Sequence, residues 1–261
     1  MTPILLVGAG RMGGALLSGW RRADAFRPSE LMIRDPNPGP EALGSGAQLN
    51  PPDAEIGRAQ TAVILVKPQT WREAAAQVAP LLAADAVIVS IAAGVASADL
   101  AQGFGGRRVA RVMPTTAAAI GQGTASIFAA DAEARARAHA LFTPVGAVVD
   151  LADEDLMHAA TAVSGSSPAY LYAFVEALEA AAVAAGFGPD AAATLARHTI
   201  AGAAALMAQS GADPAALRAQ VTSPGGTTQA ALNVLMGDGG LGPLLDEAVK
   251  AAAARSRELG Q

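Results

Sequence analysis

Apolar runs of strand length recur through the first half of the chain, at residues 4–7, 31–33, 62–66, 86–91, 109–112 and 145–149. They are apolar on both faces rather than alternating, which is the pattern of parallel strands covered by helices. Between the first of them lie segments of helical period, residues 12–22 and 71–82. Strand–helix alternation of this kind predicts an α/β, Rossmann-like unit built on a doubly wound, mainly parallel sheet. After residue 150 the alternation stops. Helical segments follow at 153–163, 168–185, 189–209, 214–221, 227–236 and 243–259, with boundaries such as Pro168 and Gly186, or Pro189 and Gly211. The pattern therefore predicts an α/β domain over residues 1–150 and an all-α domain over residues 151–261.

Composition changes this picture in two ways. The 261 residues include no cysteine, which excludes a disulfide framework, a Cys-based metal centre and a thiol nucleophile. The 52% hydrophobic fraction includes 66 alanines, so the remaining 70 larger apolar residues make an ordinary core. Alanine favours helix, and residues 168–209 carry few charges beyond Glu176, Glu179, Asp190 and Arg197. A helix apolar nearly all round must be covered by something. A subunit interface is the expected cover, and a monomer with weakly hydrophobic alanine surfaces is the alternative.

Charge excludes more. Residues 1–150 are net +1 and residues 151–261 net −6, so no polybasic face for nucleic acid is predicted, and 4% aromatic residues leave few stacking platforms. The start of the chain has no basic leader, and its apolar run is far shorter than the ~20 residues a bilayer requires. A cytoplasmic location is expected, with no membrane contact.

The strongest motif in the first half is Gly8-Ala9-Gly10-Arg11-Met12-Gly13, a strand running into G-x-G-x-x-G at the mouth of a helix. Gly8 permits the tight turn, Gly10 lets backbone approach a pyrophosphate, and Gly13 lets helix pack on strand, with the amides at Arg11 and Met12 facing the phosphates. The second strand ends in Arg34-Asp35, where the signals conflict: Asp35 suits a ribose 2′-hydroxyl and Arg34 a 2′-phosphate. Val66-Lys67-Pro68, Ala92 with Gly94, and Met113-Pro114 close later strands on the edge where open α/β sheets bind ligands. For Lys67 an exposed loop cation is an equally good reading.

The second half has two polar, glycine-rich interruptions, residues 161–170 and 221–228, each ending at a helix N-terminus. The first holds Ser164, Gly165, Ser166 and Ser167; the second holds Gly225, Gly226, Thr227 and Thr228. Free amides and a partial positive charge at such termini suit a carboxylate, although serine and threonine also cap helices ordinarily. His139, His158 and His198 lack metal-ligand spacing, and no metal is expected. The cluster Asp153-Glu154-Asp155 reads as compensation of a helix dipole.

Taken in order, the glycine motif with Met12, Val66-Lys67-Pro68-Gln69, Met113-Pro114, residues 161–170 and residues 221–228 resemble the pyrroline-5-carboxylate reductases. The serine-rich loop and Ser223-Pro224-Gly225-Gly226-Thr227-Thr228 are the most specific of these. The chain departs from the family pattern at Thr115-Thr116-Ala117, where Asn-Thr-Pro is usual, and at Ser167, where glycine is usual.

The resemblance implies reduction of 1-pyrroline-5-carboxylate to L-proline by hydride transfer, the last step of proline biosynthesis. It implies NADPH as cofactor, with NADH left open, and a homodimer through the helical domain, with a decamer of dimers as a larger assembly. The substrate carboxylate is expected at the two loops, with Thr228 as the candidate catalytic hydroxyl. Two rivals stay open: a related reductase of another imine or hydroxy acid, and a silent dinucleotide-binding scaffold.

Overall fold

The computed structural model describes residues 1–259. Its sheet contains β1 (Ile4–Val7), β2 (Leu31–Arg34), β3 (Gln48–Leu49), β4 (Thr61–Ile64), β5 (Val87–Ser90), β6 (Val109–Pro114), β7 (Gly123–Phe128) and β8 (Gly146–Asp150). Their order is β3-β2-β1-β4-β5-β6-β7-β8. Strands β1 to β6 are parallel, β7 runs antiparallel to β6, and β8 is parallel to β7. The mainly parallel, doubly wound sheet is therefore present. Two strands escaped the sequence pattern: β3 has only two residues, and β7 alternates Thr124 and Ser126 with Ala125 and Ile127 instead of forming an apolar run. The run at 145–149 forms β8, but because β7 reverses direction it lies antiparallel to the first six strands.

The helices around this sheet are α1 (Arg11–Arg22), α2 (Pro40–Leu43), α3 (Asp53–Ile56), α4 (Trp71–Val78), α5 (Ser97–Gly103), α6 (Ala132–Phe142) and α7 (Leu156–Ala160). Alternate residues of each central strand feed opposite faces, which explains their two-sided hydrophobicity. Ile4 and Leu6 join one core with Leu16, Trp20, Leu141 and Phe142, while Leu5 and Val7 join a second with Trp71, Val78, Leu100 and Phe104. Helix α4 ends at Val78, short of the expected residue 82, because Pro80 lacks a donor and the chain tightens into a 3-10 turn at Ala79–Leu81.

The expected helix at 153–163 is also revised. Asp153 accepts the Asp155 N–H at 2.9 Å, so the helix starts only at Leu156, and it widens into a π turn at Thr161–Gly165. Thr161 and Ser164 donate their hydroxyls to the carbonyls of Met157 and Ala160, each at 2.8 Å, the back-bonding that bends helices.

The chain divides after Gly165 rather than at 150, and the described residues from Lys250 onward belong with the first unit. Long-range pairings tie these segments to the first unit. Glu154 bonds to Arg111 at 2.7 Å, and His158 Nδ1 lies 3.0 Å from the hydroxyl of buried Ser256.

The second unit, residues 166–249, contains α8 (Ser167–Ala184), α9 (Pro189–Ser210), α10 (Pro214–Gln220), α11 (Thr227–Leu235) and the first part of α12 (Leu241–Glu258). In α8 and α9 only Ala192 and Ala196 are buried, while Leu171, Tyr172, Phe174, Leu195 and Leu206 are exposed on a single chain. An ion pair, Arg197 to Glu179 at 2.7 Å, links the two helices. Among the described residues no helix is long and apolar enough to cross a membrane.

Candidate active site

The glycine turn between β1 and α1 has the shape a dinucleotide needs. Gly8 adopts φ +92, and a Cβ there would meet the Leu65 carbonyl carbon and Val66 Cγ1 at 3.2 Å, so only glycine fits. Gly13 packs one turn into the helix, where a Cβ would lie 3.0 Å from the Gly8 carbonyl oxygen. Gly10 caps α1 in an extended conformation with no side-chain cap, and nothing lies within 4 Å of where its Cβ would be. The amides that follow, at exposed Arg11 and half-buried Met12, precede the helix's own hydrogen bonds. An open space before uncapped amides fits a pyrophosphate.

Asp35 and Arg34 are both already engaged. The Asp35 carboxylate accepts the Ala9 N–H at 2.5 Å and the Asn37 N–H at 2.7 Å. Asn50 brackets the same residue, accepting its N–H at 3.0 Å and donating to its carbonyl at 2.9 Å. Arg34 donates to Asp53 at 2.6 Å. Beside them lies a cleft of about 220 Å³ lined by Gly8, Arg34, Pro36, Val66, Thr70 and Gln77.

The other first-unit candidates sit at the carboxyl edge of the same sheet. Val66 and exposed Lys67 follow β4, and Pro68 opens the 3-10 turn whose Thr70 hydroxyl donates to the Lys67 carbonyl at 3.2 Å. Ala92 is buried after β5, its N–H donating to the Ser90 hydroxyl at 3.2 Å, and Gly94 turns with φ +81. Met113 and Pro114 end β6 and are buried. Ser164 and Gly165 lie in the π turn, and a Cβ on Gly165 would stand 3.0 Å from Met113 Sδ. The Ser164 hydroxyl is committed to the Ala160 carbonyl. At the departure from the family pattern, Thr115 closes the β6–β7 connection by accepting the Thr124 N–H at 3.0 Å.

In the second unit Ser166 and Ser167 open α8, followed by Pro168 in the first turn. Tyr170 keeps a buried hydroxyl with no hydrogen-bond partner among the described residues. Gly225 turns with φ +70 and Gly226 caps α11 without a side-chain bond. The N–H groups of Thr227 and Thr228, in the first turn of α11, have no partner within that helix. The boundary thus cuts the first sequence-predicted loop, with Ser164 and Gly165 in the first unit and Ser166 and Ser167 in the second, while residues 225–228 lie in the second.

The acidic cluster at 153–155 does something other than the dipole compensation its sequence suggests. Glu154 does not offset the dipole of α7. Its Oε1 accepts from Arg111 Nη1 at 2.7 Å and from the Ser97 N–H at 2.6 Å, and its Oε2 accepts the Ser97 hydroxyl at 2.7 Å. Arg111 is only 5% exposed. Burial pushes the Glu154 carboxyl up, but donation from Ser97 and Arg111 outweighs it and holds the group below the ordinary carboxylate range. The signal available was an arginine inside an apolar strand, which requires a buried counter-charge.

Comparison with known proteins agrees with this geometry at both ends of the chain. Residues 154–259 match the family model described as pyrroline-5-carboxylate reductase dimerisation, and residues 3–94 match that described as NADP oxidoreductase, coenzyme F420-dependent. The chain is 37% identical over 258 residues to the pyrroline-5-carboxylate reductase of Pisum sativum, covering 97% of this chain and 94% of that one. It is 36% identical over 267 residues to that of Pseudomonas aeruginosa, covering 99% and 97%. A solved pyrroline-5-carboxylate reductase structure from Coxiella burnetii superposes with a TM-score of 0.89 at 28% identity, covering 100% and 99%. With the glycine turn, the edge segments and both polar loops in the expected order and the likeness spanning nearly the whole length, the chain belongs to the pyrroline-5-carboxylate reductase family.

Proposed function

We propose that this chain reduces 1-pyrroline-5-carboxylate to L-proline, the last step of proline biosynthesis, taking hydride from NADPH, with NADH as an alternative donor. One observation supports this above others: Gly8 to Gly13, Val66 to Pro68, Ala92 to Gly94 and Met113-Pro114 all lie on the carboxyl edge of one sheet, where a dinucleotide would span them. Gly8, Gly10, Arg11, Met12 and Gly13 would hold the pyrophosphate. Arg34 would meet a 2′-phosphate after exchanging its bond to Asp53. Val66, Lys67, Pro68, Ala92, Gly94, Met113 and Pro114 would line the remainder of the cofactor.

The bound cofactor supplies one hydride. The imine carbon would accept it while the C=N π pair shifts onto nitrogen, neutralising the positive charge that prior protonation had placed there. A strong general acid is then unnecessary, so what the protein contributes is placement. The amides and hydroxyls of Ser164, Gly165, Ser166, Ser167, Gly225, Gly226, Thr227 and Thr228 would bind the substrate carboxylate, with Thr228 donating to the ring nitrogen or the carboxylate. The exposed apolar faces of α8 and α9 would be covered in a homodimer.

The test is cofactor oxidation followed by absorbance, with each reduced cofactor, with and without 1-pyrroline-5-carboxylate. Substrate-dependent oxidation that yields proline is expected. Oxidation with a hydroxy-acid precursor instead, or cofactor binding without turnover, would reject the proposal.

A further inference from the structure

The carboxylate of Glu154 joins three pieces of chain that are distant in sequence. Its partners are Arg111 on β6 and Ser97 at the head of α5, and it is itself the start of the segment leading through α7 to the π turn. Each piece carries a candidate cofactor or substrate residue a short, stiff distance away. Arg111 precedes Met113 by one strand repeat, so the two side chains share a face of the sheet. Ser97 follows Gly94, which turns with φ +81, by three residues. The π turn ends at Gly165, against the Met113 sulfur.

Holding the fold together does not require a charged pair here. A buried guanidinium and carboxylate are usually no more stabilising than apolar side chains of the same volume. Nor does Glu154 cap α7, since Asp155 occupies that position. What the three hydrogen bonds of this ionic knot provide, and an apolar contact does not, is directional fixing of the three segments. Charge-assisted bonds at 2.6 to 2.7 Å tolerate little sliding.

We propose that Glu154, acting with Arg111 and Ser97, is a positioning residue for hydride transfer: it fixes Met113, the Gly94 turn and the π turn relative to one another, and so sets the wall against which the nicotinamide lies. The inference rests on the reading of this chain as a pyrroline-5-carboxylate reductase. The hydrogen bonds of Glu154 go to Ser97 and Arg111. It acts through Met113 and the two turns, and misplacement of about 1 Å at a reacting centre can cost on the order of a hundredfold in rate.

The decisive variant is the double replacement Arg111→Met with Glu154→Gln. It removes the buried guanidinium and its half-buried partner charge together and keeps at position 154 an amide oxygen to accept from Ser97, so it folds where Glu154→Gln alone risks stranding the guanidinium. Folding midpoint, cofactor Kd, KM, kcat and the primary isotope effect with cofactor deuterated at the transferred position are measured together on the full chain. The expected result is a normal midpoint, Kd and KM within about twofold, kcat down roughly tenfold, and a larger isotope effect because transfer itself has slowed. Ser97→Ala, which removes one arm, should show the same pattern at a few-fold level, and Arg111→Lys should recover part of the lost rate. Unchanged kcat and isotope effect in a folded double variant would overturn the proposal, as would equal losses in midpoint, Kd and kcat. Absence of turnover in the unaltered chain would overturn the functional reading as well, and is seen before any variant is compared.

Discussion

Helix α1 offers a sharp test of how tightly the cofactor-facing end of the sheet is packed. Gly19 is buried one turn before its end, and a Cβ built there would fall 2.2 Å from the Ala118 carbonyl oxygen and 2.7 Å from Val145 Cγ1. In an open helix Gly→Ala gains about 1 kcal/mol from the higher propensity of alanine. Here the obstructing atom is backbone, in the 3-10 turn Thr116–Ile120, and cannot rotate away. Restoring ordinary contact requires the helix or the turn to retreat by about 1 Å, and overpacking of a dense core costs about 1–3 kcal/mol, near the upper end when backbone must move. The net expectation for Gly19→Ala is a loss of roughly 2 kcal/mol, or about 4–8 °C in Tm for a unit of this size. Circular dichroism during thermal and urea unfolding measures it. Since Gly10 caps this same helix, cofactor affinity should weaken in the same variant. A Gly19→Ala protein as stable as the parent, or more so, would refute the packing of α1 on that turn.

Four further outcomes follow from the same geometry. Trp20→Phe removes the bond from the indole N–H to the Leu141 carbonyl at 2.7 Å and leaves that acceptor buried, so unfolding free energy should fall by about 1–3 kcal/mol in urea titration. Arg34→Ala should raise the Kd for NADPH about tenfold while leaving that for NADH within about twofold, read by fluorescence titration; equal effects on both cofactors would remove Arg34 from the phosphate site. Thr228→Ala should lower kcat more than it raises KM, whereas a change confined to KM would limit Thr228 to uniform binding. Glu154 has a folded-state pKa below its ordinary 4.5, so its contribution is complete above that value and lost as pH falls through the folded one. Acid unfolding curves of the parent and Glu154→Gln should therefore differ near neutrality and converge at low pH.

The central strands and the glycine turn were legible because their physics is local. An apolar run buried on both faces and a G-x-G-x-x-G turn each carry their signal within a few residues. Strand β7 was not, because its half-polar alternation holds Thr124 and Ser126 between shorter apolar positions. The π turn was hidden for a different reason: Thr161 and Ser164 read as loop or cap residues until their hydroxyls are seen returning to the carbonyls four residues back. The division at Gly165 depends on partners far away in sequence, Arg111 for Glu154 and Ser256 for His158, and no window of the chain displays those pairings. Asp35 shows the same limit. Its type suggested a free ribose contact, whereas the fold turns the carboxylate onto the Ala9 amide.

The reversal at β7 determines from which end the polypeptide departs the sheet. Asp150 leaves β8 level with Ile127 and Val112, pointed away from the glycine-turn edge, and Glu154 then meets Arg111. After Asp155, the ten residues of α7 and its widened last turn lead back toward Met113, ending at Gly165. That stretch is a ruler anchored at the bottom by an ion pair and read at the top by a methionine sulfur. One inserted residue in α7 would rotate everything beyond it by about 100° and carry Gly165 off Met113, although no side chain at either end had changed.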